Sequence, residues 1–128
     1  MANELPRPTD AELEILTVLW SIGPATVRAV YEVINKRRPA QYSTVLKFMQ
    51  IMAEKGLVRR DETERAHVYE AARSRERTQR QLAGDLLERA FSGSAKALLM
   101  GALSARKATK EELAEMRKLL DEYRKGEK

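Results

Sequence analysis

Leu13, Leu16, Leu19 and Trp20 recur at three- and four-residue intervals, the spacing that lines one face of a helix. Thr9, three residues before Glu12, forms the sequence of a capping box, in which hydroxyl and carboxylate satisfy each other's backbone amides. Asp10, Glu12 and Glu14 suit the positive end of the same helix dipole, and Gly23-Pro24 stops it. A second helix is predicted from Val27, Val30, Tyr31 and Ile34. Lys36, Arg37 and Arg38 sit at its negative end, and Pro39 forbids continuation. After a short connection, a third helix spans about residues 42–55 and ends at Gly56.

Beyond Gly56 the period changes. Leu57-Val58 and Val68-Tyr69 flank a polar stretch that includes RRDETERAH, a pattern of two short strands joined by a charged loop. Three helices followed by a hairpin is the order of a winged helix-turn-helix, which assigns residues 1–72 to one domain. From residue 73 to 128 the pattern is helical again. Leu82, Leu86, Leu87, Ala90 and Phe91 share a stripe that Ser92-Gly93-Ser94 interrupts. A short apolar helix starts at Ala95 and reaches Leu103. Thr109 and Glu112 repeat the capping-box spacing before Leu113, Met116, Leu120 and Tyr123, which fall at a/d positions. The expected class is mainly α with a small β-hairpin.

Composition removes several functions. The chain has 128 residues, no cysteine and one histidine. Disulfides, thiolate metal sites, a cysteine nucleophile and a multi-histidine metal site within one chain are thereby excluded. No metal or other cofactor is expected. No secretory signal opens the sequence, and the longest nearly apolar run, residues 97–103, is far short of the roughly 20 residues that span a bilayer. A soluble cytoplasmic protein without membrane insertion is expected. Charge is unevenly placed: residues 36–60 hold seven basic side chains and one acidic, while residues 1–35 hold two basic and five acidic. A positive cluster of that kind attracts a phosphate backbone.

That cluster includes the third helix. On a helical wheel Val45, Phe48, Met49 and Met52 fall together as a core stripe. Ser43, Lys47, Gln50 and Glu54 face the other way, with Thr44, Leu46 and Ile51 on the shoulders. A recognition helix presents its front half to base edges in the major groove. Here that half carries hydroxyls, a cation and an amide, and its single carboxylate, Glu54, is held at the rear. Ser43 serves either as a helix cap or as a base contact. Leu46 and Ile51 either complete the packing or touch a thymine methyl, packing being the better reading for Ile51. His67 reads as a polar hairpin residue or phosphate contact. No G-x-S-x-G elbow or other nucleophile motif accompanies it, so no enzyme is expected.

With these elements placed, the chain resembles the penicillinase-repressor family of winged-helix repressors (BlaI/MecI/CopY). The resemblance rests on TDAELEILTVLW, ATVRAVYEVI, YSTVLKFMQIMAEKGLVRR, RAHVYEAA, LLERAFSGSAKALL and ATKEELAEMRKLLDE, in that order and over nearly the whole chain. It implies a homodimer that binds a palindromic DNA operator and is released when a membrane-bound sensor protease cuts it. Family members often control β-lactam resistance. Carried onto this sequence, base readout falls on Ser43, Thr44, Leu46 and Lys47. Phosphate contacts fall on Gln41, Tyr42, Lys55, Arg59, Arg60, Arg65 and His67. The dimer seam falls on Leu86, Phe91, Leu98, Leu99, Leu103, Leu113, Met116, Leu120 and Tyr123, within a dimerisation region of residues 73–128. Two departures stand out. The cysteine-rich metal site of the copper-responsive branch is missing, and the Asn-Phe of the cleavable members is replaced by Gly101-Ala102. Two rival readings remain: a winged helix that docks an acidic protein, and a small-molecule-responsive repressor of the MarR-like kind.

Overall fold

The structure, a computed structural model, describes residues 6–126. It forms two compact units, one reaching Ala83 and the other starting at Gly84. The first contains α1 (Asp10–Ile22), β1 (Ala25–Thr26), α2 (Val27–Arg37), α3 (Tyr42–Lys55), β2 (Val58–Asp61) and β3 (Val68–Ala71). Helix α4 (Arg75–Ala90) continues past the boundary, and α5 (Ala95–Ala105) and α6 (Lys110–Gly126) follow.

The Thr9–Glu12 capping box forms in both directions: the Glu12 amide donates to Thr9 Oγ1 at 3.2 Å, and the Thr9 amide donates to Glu12 Oε1 at 3.0 Å. Thr26 caps α2 by accepting from the Ala29 amide. Gly56, at φ +83°, ends α3 in the left-handed conformation, and the Leu57 amide closes the last turn onto the Met52 carbonyl at 2.9 Å. The core of this unit combines Ile15, Leu16, Val18 and Leu19 of α1 with Val27, Val30 and Ile34 of α2. Val45, Met49 and Met52 of α3, then Leu57, Val58 and Tyr69, complete it.

Three local expectations change. The buried stripe of α1 is centred on Ile15, Leu16, Val18 and Leu19, with Leu13 and Trp20 half-buried on its edges. It is wider than a single stripe because α2, α3 and β3 all pack on α1. Trp20 instead sends its indole N–H to the Arg73 carbonyl at 3.0 Å. The sheet has three strands in the order β1-β3-β2, all antiparallel: Ala25 and Thr26 pair with Tyr69 and Val68. A hairpin alone would leave one side of β3 unpaired, and the two residues after Gly23-Pro24 supply the missing ladder. Finally, Gln41 occupies the N-cap of α3 and Ser43 lies exposed in its first turn, so Ser43 does not cap.

In the second unit, Ser92 and Gly93 adopt φ +51° and +80° and turn the chain between α4 and α5. Ser94 caps α5, and the Thr109 hydroxyl accepts from the Glu112 amide at 3.0 Å at the start of α6. Neither α5 nor α6 has a buried residue.

Candidate nucleic-acid interface

Val45, Met49 and Met52 turn one side of α3 into the core, with Phe48 half-buried beside them. Helical periodicity therefore sends Gln41, Tyr42, Ser43, Thr44, Lys47 and Gln50 outward, and all six are exposed. Leu46 is half-buried between the two sides. It packs on the core and lines a groove of about 460 Å³ between α3 and the wing. Thr26, Arg28, Tyr42, Gln50, Arg65 and His67 border that groove, and its lining contains no carboxylate.

The wing is β2, β3 and the loop between them. Arg59 stands opposite Glu70 and Arg60 opposite Tyr69 in the ladder. At the tip, Asp61 Oδ1 accepts from the Thr63 amide at 2.9 Å and from its hydroxyl at 2.8 Å, which folds the loop back on the strand. Those two bonds, the backbone one foremost, hold the Asp61 carboxyl below its ordinary value.

The cations divide by partner. Arg38 binds Glu14, Arg59 binds Glu70 at 3.2 Å and Arg60 binds Glu62 at 2.6 Å. The Tyr69 hydroxyl and then the Glu62 charge raise the Arg60 guanidinium above its ordinary value. Exposed pairs of this kind contribute little to stability, so Arg59 and Arg60 can exchange their partner for another anion. Among the described residues, Arg28, Lys47 and Arg65 have no carboxylate partner, and they stand on α2, α3 and the wing.

Lys55 is different. Its ammonium lies 2.9 Å from both oxygens of Glu12, a residue only 2% exposed. The resemblance places Lys55 among the phosphate contacts, and the fold pairs its charge with Glu12.

Residues 8–122 match the family model described as penicillinase repressor. The chain belongs to the penicillinase repressor family. Its relatives include two proteins named transcriptional regulator BlaI, from Mycobacterium tuberculosis strains CDC 1551 / Oshkosh and ATCC 25618 / H37Rv. Each is 37% identical over 99 residues, covering 76% of this chain and 72% of the relative. The solution structure of the DNA binding domain of the repressor BlaI superposes with a TM-score of 0.51. The identity is 22%, over 56% of this chain and 88% of that one, a likeness of fold. This member of the family is a transcriptional repressor built on a winged helix.

One residue of the repressor's groove escapes the sequence reading. Arg28 counts there only as one of two basic residues in the first 35, yet its guanidinium lies 5.0 Å from the Tyr42 ring centroid and 6.0 Å from that of Tyr31. The available signal was its place two residues after the Thr26 cap, near the positive end of α2.

The residues expected at a dimer seam lie in the repressor's helices α4 to α6. Leu86, Leu99, Leu103, Leu113, Leu120 and Tyr123 are exposed, Tyr123 to 73%, and Phe91, Leu98 and Met116 are half-buried. Met100 and Leu119, outside the expected set, are exposed as well. A Cβ on Gly101 would meet the Phe91 ring at 3.4 Å.

Proposed function

We propose that the protein represses by holding a palindromic operator in duplex DNA as a homodimer, working in the cytoplasm. Each winged helix occupies one half-site, and residues 73–128 join the two chains. In this reading Ser43, Thr44, Leu46 and Lys47 meet base edges in the major groove. Arg28, Gln41, Tyr42, Arg59, Arg60, Arg65 and His67 hold phosphates on either side. Lys55 is left out, because Glu12 holds its ammonium.

The observation that carries the proposal is the groove between α3 and the wing, bordered by Arg28, Arg65 and His67 without a carboxylate. Lys47 adds an unpaired cation on the outward face of α3. A polyanion is attracted along that whole surface.

Dimerism is supported by the apolar face of α6, where Leu113, Leu120 and Tyr123 stay exposed in a single chain. Its physical value is avidity. A single module binds DNA non-specifically with a Kd on the order of 10⁻⁴–10⁻⁶ M. Coupling a second module makes the next contact intramolecular and can strengthen binding by roughly 10²–10⁴-fold. Any signal that separates the chains therefore empties the operator. Release by a membrane-bound sensor protease would need a bond other than Asn-Phe, since this chain reads Gly101-Ala102.

Selection of bound duplexes from a random pool, followed by footprinting, tests the proposal. The expected product is a palindrome whose half-sites lie about 10 base pairs apart, centre to centre, or a multiple of that. A protein that retains no duplex at low salt does not work this way.

A further inference from the structure

The ion pair between Glu12 and Lys55 is left unused by the DNA contacts proposed above. The Glu12 carboxylate is buried, with both oxygens 2.9 Å from Lys55 Nζ. Oε1 also accepts the Thr9 amide at 3.0 Å. One carboxylate thus joins three stretches of chain: the approach to α1, α1 itself and the last turn of α3. Lys55 immediately precedes Gly56, where the chain turns toward β2. The rear of α3 and the root of the wing are therefore tied down at one point. Removing Lys55 would strand the buried Glu12, which has no access to water to compensate, whereas Lys55 keeps partial access to solvent.

We infer that Glu12 and Lys55 are positioning residues for sequence reading. By pinning the rear of α3 to the front of α1, they set the tilt at which Thr44 and Lys47 meet the bases. The inference rests on the DNA-reading role proposed above. At about 1.5 Å of rise per residue, Thr44 lies roughly 16 Å along the axis from Lys55. A tilt of about 5° at the rear therefore displaces the front turn by more than about 1 Å, enough to degrade hydrogen bonds to base edges. Phosphate contacts from long, exposed cations follow such a shift easily. Selectivity is lost before general affinity.

The test uses the full chain, the operator obtained by selection, and a random duplex, each titrated over a series of salt concentrations. Glu12→Gln keeps the size of the side chain, an oxygen for the Thr9 amide and the charge of Lys55. The expected result is an operator-over-random preference about tenfold lower, with random-duplex affinity changed by less than about twofold and an unchanged salt slope. Lys55→Met should behave alike. Should it fail to fold, Glu12→Gln/Lys55→Met replaces it, since no charge is then stranded. Equal losses on both duplexes from Lys55→Met, with the slope reduced by about one unit, would make Lys55 a phosphate contact and overturn the inference. Folded variants with wild-type preference overturn it too. A wild-type protein that prefers no duplex removes the DNA-reading role itself, and this inference with it.

Discussion

Arg28 lies over the ring of Tyr42, its guanidinium carbon 5.0 Å from the centroid, and Tyr42 meets Tyr31 edge-on at 5.8 Å. The stack fixes a cation of α2 beside the first turn of α3. A guanidinium on an aromatic face keeps its edge N–H groups free for an anion. Arg28→Ala should weaken binding to operator and random duplex alike and reduce the salt slope by about one unit. Titration over a salt series measures both effects. An unaltered slope would remove Arg28 from the contact surface.

Thr44 and Lys47 are expected to act differently, because both stand on the front half of the outward face of α3. Thr44→Ala or Lys47→Ala should cost about 1–3 kcal/mol on the operator and much less on random DNA. Competition binding gives the ratio directly. Equal losses from Lys47→Ala would reassign it to the backbone.

The pairing of two chains proposed for α6 can be tested without touching the winged helix. Leu120→Asp puts a charge on the apolar face that includes Leu113 and Tyr123. Sedimentation should then show a monomer, and operator affinity should fall by roughly 10²-fold or more, while the thermal transition of the first unit persists. A monomeric variant with full affinity would contradict the avidity mechanism.

Trp20 offers a control in stability. Trp20→Phe removes the N–H that reaches the Arg73 carbonyl and should destabilise the first unit by about 1 kcal/mol. Denaturant melts provide the number. DNA binding under native conditions should be unchanged, since Trp20 lies on α1 and does not line the groove.

Asp61 makes the wing tip sensitive to acid. Its pKa is depressed in the folded chain, so its contribution is present above the unfolded value and lost as pH falls through the folded one. The turn should hold from neutrality to about pH 4 and loosen below it. The Thr63 amide resonance, followed by NMR over a pH titration, reports the change. A midpoint above about pH 5 would exclude Asp61 as the group responsible.

Much of the outward face of α3 was legible because it depends on one helix alone. With Val45, Met49 and Met52 buried, the 3.6-residue repeat already fixes which side Thr44 and Lys47 occupy. The electrostatics of the site were much less legible. Lys55 and Arg28 look alike as letters, but one is neutralised by a carboxylate 43 residues away and the other is stacked on a ring. Charge counting cannot separate them, since it sees cations and not their partners.

Elements with local signals could be read from the chain alone: caps at Thr9 and Thr109, a left-handed stop at Gly56, and apolar repeats long enough to commit a segment to a helix. What those elements share is settled by their packing. It recruited Ala25 and Thr26 as a third strand, because two residues carry no periodicity of their own and are chosen by the open edge of β3. It buried Glu12, which the sequence shows only as a capping carboxylate, and brought Lys55 to it. Repeats and caps act over a few residues, whereas burial and charge pairing depend on which surfaces meet, and only the folded chain brings those surfaces together.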